Sequence, residues 1–371
     1  GYNDHDYQKM VAFFEQTDEN GVRNGEKLSE DYDPTDPETW WEYDGDYCRG
    51  IVEWTTVAGE YRLYNIFFGG IGNDALPLEL VGFLDVSGCT ALTEVRCKSW
   101  GDIQLTGLDV SGCTSLVVLY CFGNELTELD VSGCAALEVL ECYGNELTEL
   151  DVSECAALEA LDCRGNWLTE LDVSVKTELY DLDCSLNLLT GLDVSGCAAL
   201  EVLECYGNEL TELDVSECAA LEELDCDFNH MTELDVSANT ELRGLYCSGN
   251  QLTELDVSAN AELYVLYCFD NQLTELDVSA NTELEILGCS ENHLTELDLS
   301  NNPRIDIDTI SAEGSGFIEV STVWDENDDI CYYIKAASVP GNSFCGWYAV
   351  DGTLLSTNVE INRNDFDGVN D

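Results

Sequence analysis

The chain has 371 residues, 45% of them hydrophobic, and carries 13 Lys and Arg against 76 Asp and Glu, a formal net charge of −63. A surface this acidic repels phosphate backbones and anionic headgroups, which excludes nucleic acid and bare membrane as partners and favours cationic surfaces and divalent cations. The apolar fraction and the fixed placement of the charges exclude a disordered chain, and without a run of 18 apolar residues no segment is read as a membrane-spanning helix. The charge itself has two open readings, a solvated, salt-adapted surface or a specific cation-binding role. The chain starts at Gly1-Tyr2-Asn3 with no Met, which suits a processed secretory product or a trimmed chain equally.

Residues 1–78 precede any periodicity. Apolar spacing from Asp6 to Phe14 predicts a helix, Thr17 to Pro37 is polar and read as a loop, and Trp40, Trp41 and Trp54 lead to a strand at Tyr61-Arg62-Leu63.

From about residue 79 the chain repeats itself. The tetrapeptide LDVS, or LDLS in the last copy, starts at Leu84, Leu108, Leu129, Leu150, Leu171, Leu192, Leu213, Leu234, Leu255, Leu276 and Leu297, with one interval of 24 residues and then 21 throughout. Between these anchors runs LxxLxCxxN, with cysteines at Cys97, Cys121, Cys142, Cys163, Cys184, Cys205, Cys226, Cys247, Cys268 and Cys289. One such coil cannot bury its own leucines, whereas coils stacked about 4.8 Å apart bury them in shared columns.

The unit LxxLxCxxNxLTxLDVSxCxx resembles the nested bacterial leucine-rich repeats called IRREKO type and, more distantly, internalin repeats, over residues 79–302. The departure is Cys in place of the last Leu of the first half-repeat. The resemblance implies a β-rich leucine-rich-repeat solenoid with a parallel β ladder and few helices, about ten to eleven 21-residue repeats long. Residues 1–78 would then form a helix-containing amino-terminal cap, similar to those of plant-type and bacterial leucine-rich-repeat proteins. Residues 303–371 would form a small β cap or domain. Surface and secreted binding proteins with diverse ligands make up most of that family.

The 19 cysteines do not read as a disulfide framework. Ten fill an inward column as small hydrophobes. Six more, Cys89, Cys113, Cys134, Cys155, Cys197 and Cys218, occupy a position that later coils give to Asn239, Asn260, Asn281 and Asn302. Exchange of Cys for Asn implies a compact group donating a hydrogen bond to loop backbone, not a covalent partner. Cys48, Cys331 and Cys345 fall outside both columns, and a local Cys331–Cys345 bridge is an open alternative.

Residues flanking each column cysteine change from coil to coil, and period-two alternation turns them away from the core. They present aromatic groups at Tyr120, Phe122 and Tyr143 beside Glu141, an acidic middle from Asp162 to Asp227 that holds Arg164, Asp183, Glu204, Tyr206 and Asp225, and a second aromatic group at Tyr246, Tyr267 and Phe269. Tyrosine anchors with charged neighbours suit a protein-binding face. Aromatics also stabilise exposed strands without any ligand, so that reading stays open.

The constant half-repeat carries a second candidate, the acid ladder Asp130, Asp151, Asp172, Asp193, Asp214, Asp235, Asp256 and Asp277. Like charges about 4.8 Å apart repel by about 1 kcal/mol in water. Either hydrogen bonds to turn backbone or calcium between coils must offset that.

Past Asn302 the period stops. Residues 316–360 alternate as strands do, at Phe317-Ile318-Glu319-Val320 and Cys331-Tyr332-Tyr333-Ile334, with turns at Pro340-Gly341 and Asp351-Gly352. The phrase Gly341 to Tyr348 resembles the GxxFxGWY signature of small β repeats beside bacterial leucine-rich arrays, and Asn362–Asp371 reads as a solvated tail.

With three histidines and no nucleophile triad, phosphate loop or zinc motif, the sequence points away from an enzyme and implies no cofactor beyond the calcium alternative. The expected function is extracellular, secreted or surface-displayed recognition of a protein with a basic patch. The alternatives are a self-assembling spacer whose acidic surface is screened by cations, and glycan binding.

Overall fold

The computed structural model describes residues 1–40, 43–44, 47–48, 50–68, 80–97, 103–295 and 297–305, with the strand backbones 317–324, 330–337, 347–348 and 354–356. It divides into two compact units, Gly1–Leu189 and Thr190–Asp371.

The first unit opens with the helix Asp4–Phe14, whose Asn3 side chain caps the Asp6 amide. Its apolar face buries Met10, Phe13 and Phe14. Phe13 stacks on Phe68 at 5.4 Å, and Phe14 meets Trp40 edge-on at 5.2 Å. The wholly buried Asp6 accepts from Arg62 Nε at 2.6 Å and from the Leu63 amide at 3.0 Å. Burial alone would raise this carboxyl; the Arg62 and His5 contacts bring it below the usual carboxylate range.

Thr17–Pro37 is not all loop, since it holds the short helix Asn24–Leu28. Five residues are too few to show a period. What fixes them is long-range: buried Asn24 donates to the carbonyls of Phe13 at 3.1 Å and Val81 at 2.9 Å, tying the segment to the first helix and to a repeat strand.

The hairpin Gly50–Val57 and Glu60–Phe68 converts this cap into the ladder. Its first pair is antiparallel, but Glu60–Phe68 then pairs in parallel with Glu94–Cys97, Ile66 opposite Val95. Parallel strands follow at Val118–Tyr120, Val139–Glu141, Ala160–Asp162 and Asp181–Asp183, in register one repeat apart. A second parallel set joins Leu80–Asp85, Ile103–Asp109 and Leu129–Asp130. The second unit repeats the ladder with Val202–Glu204, Glu223–Asp225, Gly244–Tyr246, Val265–Tyr267 and Ile286–Gly288. A separate antiparallel sheet follows, in which Leu297–Leu299 pairs with Ile330–Ala337 and that strand with Phe317–Trp324.

Columns of three residue types hold the coils together. Leucines such as Leu119, Leu140 and Leu161 are essentially inaccessible, each contributing about 1.5–3 kcal/mol by burial. The thiols of both cysteine columns are buried and unbridged among the described residues, and burial pushes Cys97 and Cys134 up to about 12. Asparagines cross-link successive coils. Asn229, for example, donates to the carbonyls of Cys205 and Cys226 at 3.1 Å each while its Oδ1 accepts from the Leu210 amide at 3.0 Å.

The exchange of Cys for Asn has the expected basis. Cys113 Sγ donates to Val86 O at 3.2 Å, and Asn239 Nδ2 donates to the equivalent Val215 O at 3.0 Å. Lys176 occupies the same column, 3% exposed, with its ammonium on Val152 O at 2.6 Å and Cys155 O at 3.0 Å.

Among the described residues no helix is long and apolar enough to cross a membrane. The side chains of Cys48, Cys331 and Cys345, the turns at Pro340-Gly341 and Asp351-Gly352, and the tail Asn362–Asp371 lie outside the described residues. Of the Gly341–Tyr348 phrase only the strand Trp347–Tyr348 is described; it pairs antiparallel with Leu354–Ser356.

Candidate binding face

Three-residue ladder strands leave little freedom. The central Leu and the Cys that follows the strand point inward, so the residues on either side of that Cys are held on one outer face, at a pitch set by the ladder.

In the first unit these residues form an ordered run of rings and charges. The Phe122 and Tyr143 rings stack at 4.3 Å with 9° between planes. Arg164 lies over Tyr143 at 4.6 Å from the ring centre, and Arg96 over Tyr120 at 4.5 Å. Arg164 also pairs with Asp183 at 2.8 Å and approaches Asp162 at 3.5 Å. Burial, then the charge of Asp183, push the Asp162 carboxyl up to about 7, although Arg164 works in the opposite direction.

Two of the expected contact residues are not available as such. Phe122 is 4% exposed, covered by Tyr143, and Asp183 is 6% exposed, held by Arg164 and by the Ser185 amide at 3.0 Å. Both support the face from beneath. Tyr120, Glu141, Tyr143, Asp162 and Arg164 remain half-exposed.

Sequence reasoning missed an apolar patch beside this run. Trp167, Leu186 and Leu188 are 56%, 51% and 40% exposed, and Leu186 has a left-handed φ of +52° at the position where Gly165, one coil earlier, has +62°. The signal lay in the position after the column Asn, where Glu125 and Glu146 give way to Trp167 and Leu188.

In the second unit Tyr246 and Tyr267 stack at 5.6 Å, Phe269 meets Tyr267 edge-on at 6.4 Å, and the exposed Phe228 meets Phe269 at 6.2 Å. Asp225 stands opposite Tyr246 in the ladder register. Burial, then the charge of Asp225, raise the Asp227 carboxyl to about 7, while its contact with the Ser248 amide opposes this. Glu204 and Tyr206 lie on the same face, half-exposed.

The acid ladder is exposed, and each aspartate is bonded locally. Asp130 and Asp151 accept from the amides of Ser132 and Ser153 at 2.8 Å, Asp172 and Asp193 from Ser174 and Ser195 at 3.1 and 3.0 Å. Asp214, Asp235, Asp256 and Asp277 accept from the serines two residues on at 2.9 Å. Hydrogen bonds from serine hydroxyl and amide hold Asp151, Asp214 and Asp256 below the usual carboxylate range. The ladder aspartates do not converge in threes. Among the described residues the one group that brings three metal-ligand atoms within 4.8 Å of one another is His5, Asp6 and Cys89, where Arg62 already neutralises Asp6.

A leucine-rich-repeat family model matches residues 290–306. No curated protein sequence matches. Among solved structures, the functional domain of InlJ from Listeria monocytogenes, which includes a cysteine ladder, is 30% identical, covering 70% of this chain and 73% of that one with a TM-score of 0.54. The leucine-rich-repeat protein LIC12759 of Leptospira interrogans is 23% identical over 59% of this chain and 66% of its own, TM-score 0.52. The plant peptide hormone receptor RGFR1, solved in complex with RGF2, is 21% identical over 67% of this chain and 47% of its own, TM-score 0.54. These last two share the fold. The repeat register, the paired cysteine columns and the extent of the InlJ match place the chain among the internalin-like bacterial leucine-rich-repeat proteins.

Proposed function

We propose that the chain is a secreted or surface-displayed recognition module that holds a protein partner with a basic patch against the variable face of its ladder strands. The observation that carries this reading is the contrast within each coil: the interior repeats Leu, Cys and Asn, while the outer face changes residue by residue and presents stacked rings beside carboxylates. Rings held by neighbours lose little freedom on binding, which suits them as anchors. The net charge of −63 selects for a cationic counterpart and speeds its approach.

The test is capture of partners by the intact chain and by a variant with Tyr120, Tyr143, Tyr206 and Tyr267 changed to Ala. Loss of a captured protein in the variant, with an unchanged thermal midpoint, supports the reading. Undiminished capture discredits it. Polymerisation of the pure chain on addition of calcium would favour the assembly role.

A further inference from the structure

In the first unit the chain supplies its own guanidinium groups to the rings of the face. Arg96 covers Tyr120 and pairs with Glu94; Arg164 covers Tyr143 and pairs with Asp183. In each case arginine and ring occupy equivalent positions of adjacent coils, so the ladder pitch brings the cation onto the π face while a neighbouring carboxylate takes its charge.

The second unit builds the rings beside carboxylates, and among the described residues no arginine or lysine lies over those rings. Tyr246 and Tyr267 stack, and Phe269 braces Tyr267 edge-on. One coil beyond Tyr267, where an arginine could stand, the chain has Gly288; a Cβ there would come within 2.4 Å of the Tyr267 ring, which leans over bare backbone. Asp225 and Asp227 lie close enough to Tyr246 to oppose its ionisation, after burial, Glu223 and Tyr267. Among the described residues no Arg or Lys lies over Tyr246, Tyr267 or Phe269, and none pairs with Asp227. The nearby Arg243 pairs with Glu222 at 2.8 Å.

We propose that Tyr246, Tyr267 and Phe269 with Asp227 form a docking site for an arginine side chain of a protein partner, the arrangement that Arg164 completes internally in the first unit. This rests on the reading of the face as protein-binding and names what one part of it takes. A guanidinium fits better than an ammonium, because it stacks flat on a ring while its edge donates to carboxylates. A second copy of this chain is a poor source, since it carries the same −63.

Fluorescence anisotropy at physiological ionic strength, with the full chain and two labelled pentapeptides of equal charge, Gly-Arg-Gly-Arg-Gly and Gly-Lys-Gly-Lys-Gly, tests this. The arginine peptide is expected to bind about fivefold more tightly. Changing Tyr246 and Tyr267 together to Leu should abolish that preference at constant charge, and changing both to Phe should retain it. Tyr120→Leu with Tyr143→Leu should leave it intact. Equal affinity for the two peptides, or a preference that survives loss of both second-unit rings, overturns the proposal. Partner capture separates the two readings. A preference that meets these criteria while no protein is captured sustains the site and defeats the wider reading, and capture without the preference does the reverse.

Discussion

The ammonium of Lys176 donates to the main-chain oxygen of Cys155, 21 residues and one coil earlier, at 3.0 Å. Asn239 makes the equivalent contact to Cys218 O through an amide, and Cys113 reaches Val86 O, the counterpart of Val152 O, through a thiol, so the column selects for a donor and tolerates different chemistry behind it. Lys176→Asn is therefore expected to fold with a stability change within about 1 kcal/mol. Lys176→Leu, which leaves the Val152 and Cys155 carbonyls without this donor, should cost about 2–4 kcal/mol. Thermal or denaturant unfolding of both variants checks the pair, and equal stability would remove the donor argument.

Asn229 bonds to four backbone groups in two coils. Asn229→Ala orphans all of them in the interior and is expected to destabilise by about 2–4 kcal/mol, the loss showing as earlier unfolding in denaturant.

Leu186 pays for its exposed position with a left-handed backbone. Such a conformation costs a side-chain-bearing residue about 1–2 kcal/mol, and Gly removes that cost at some loss of chain entropy. Leu186→Gly should leave the midpoint unchanged or raise it by a few degrees. A lowered midpoint would mean that the Leu186 side chain packs in solution.

Asp162 and Asp227 titrate near pH 7 in the folded chain, above their ordinary range. A carboxyl raised by folding is stabilising while protonated, and that contribution is lost as pH rises through the folded value. Between pH 8 and pH 6 the midpoint should therefore rise, and Asp162→Asn with Asp227→Asn should flatten this part of the profile. The aspartates whose serine contacts hold them low, such as Asp151 and Asp256, act oppositely, and their contribution is lost as pH falls through the carboxylate range. A profile with no slope between pH 6 and pH 8 in the parent chain would refute the assignment.

Because the acid ladder is bonded to its own turns, removal of divalent cations should leave the midpoint where it was. A fall of several degrees in chelator, reversed by calcium, would restore the cation reading.

The repeat makes the ladder legible in the sequence, because a 21-residue period with leucines and cysteines in fixed places buries them by stacking. The thiol columns followed from the same period, and the role of Cys113 from its exchange with residues such as Asn239. What escaped notice departs from the period or depends on side-chain heights. Lys176 breaks its column, and the helix Asn24–Leu28 is fixed by Asn24 through a contact with Val81. Phe122 occupies an outward position yet is covered, since the next coil offers Tyr143, whose ring lies flat on it. Alternation gives direction along a strand; whether the group one coil away is tall or short decides exposure.

The antiparallel pairing at Leu297–Leu299 bears on how such a molecule behaves in a crowd. A parallel stack that stopped on a bare rung would present unpaired amides and carbonyls to any neighbour able to extend it. The Ile330–Ala337 and Phe317–Trp324 hairpin, in a sheet separate from the ladder, occupies one hydrogen-bonding edge of Leu297–Leu299 with the chain's own backbone. The hairpin thus closes one edge of the Leu297–Leu299 strand to a neighbour, while Ile286–Gly288 stays the outermost strand of the ladder among the described residues.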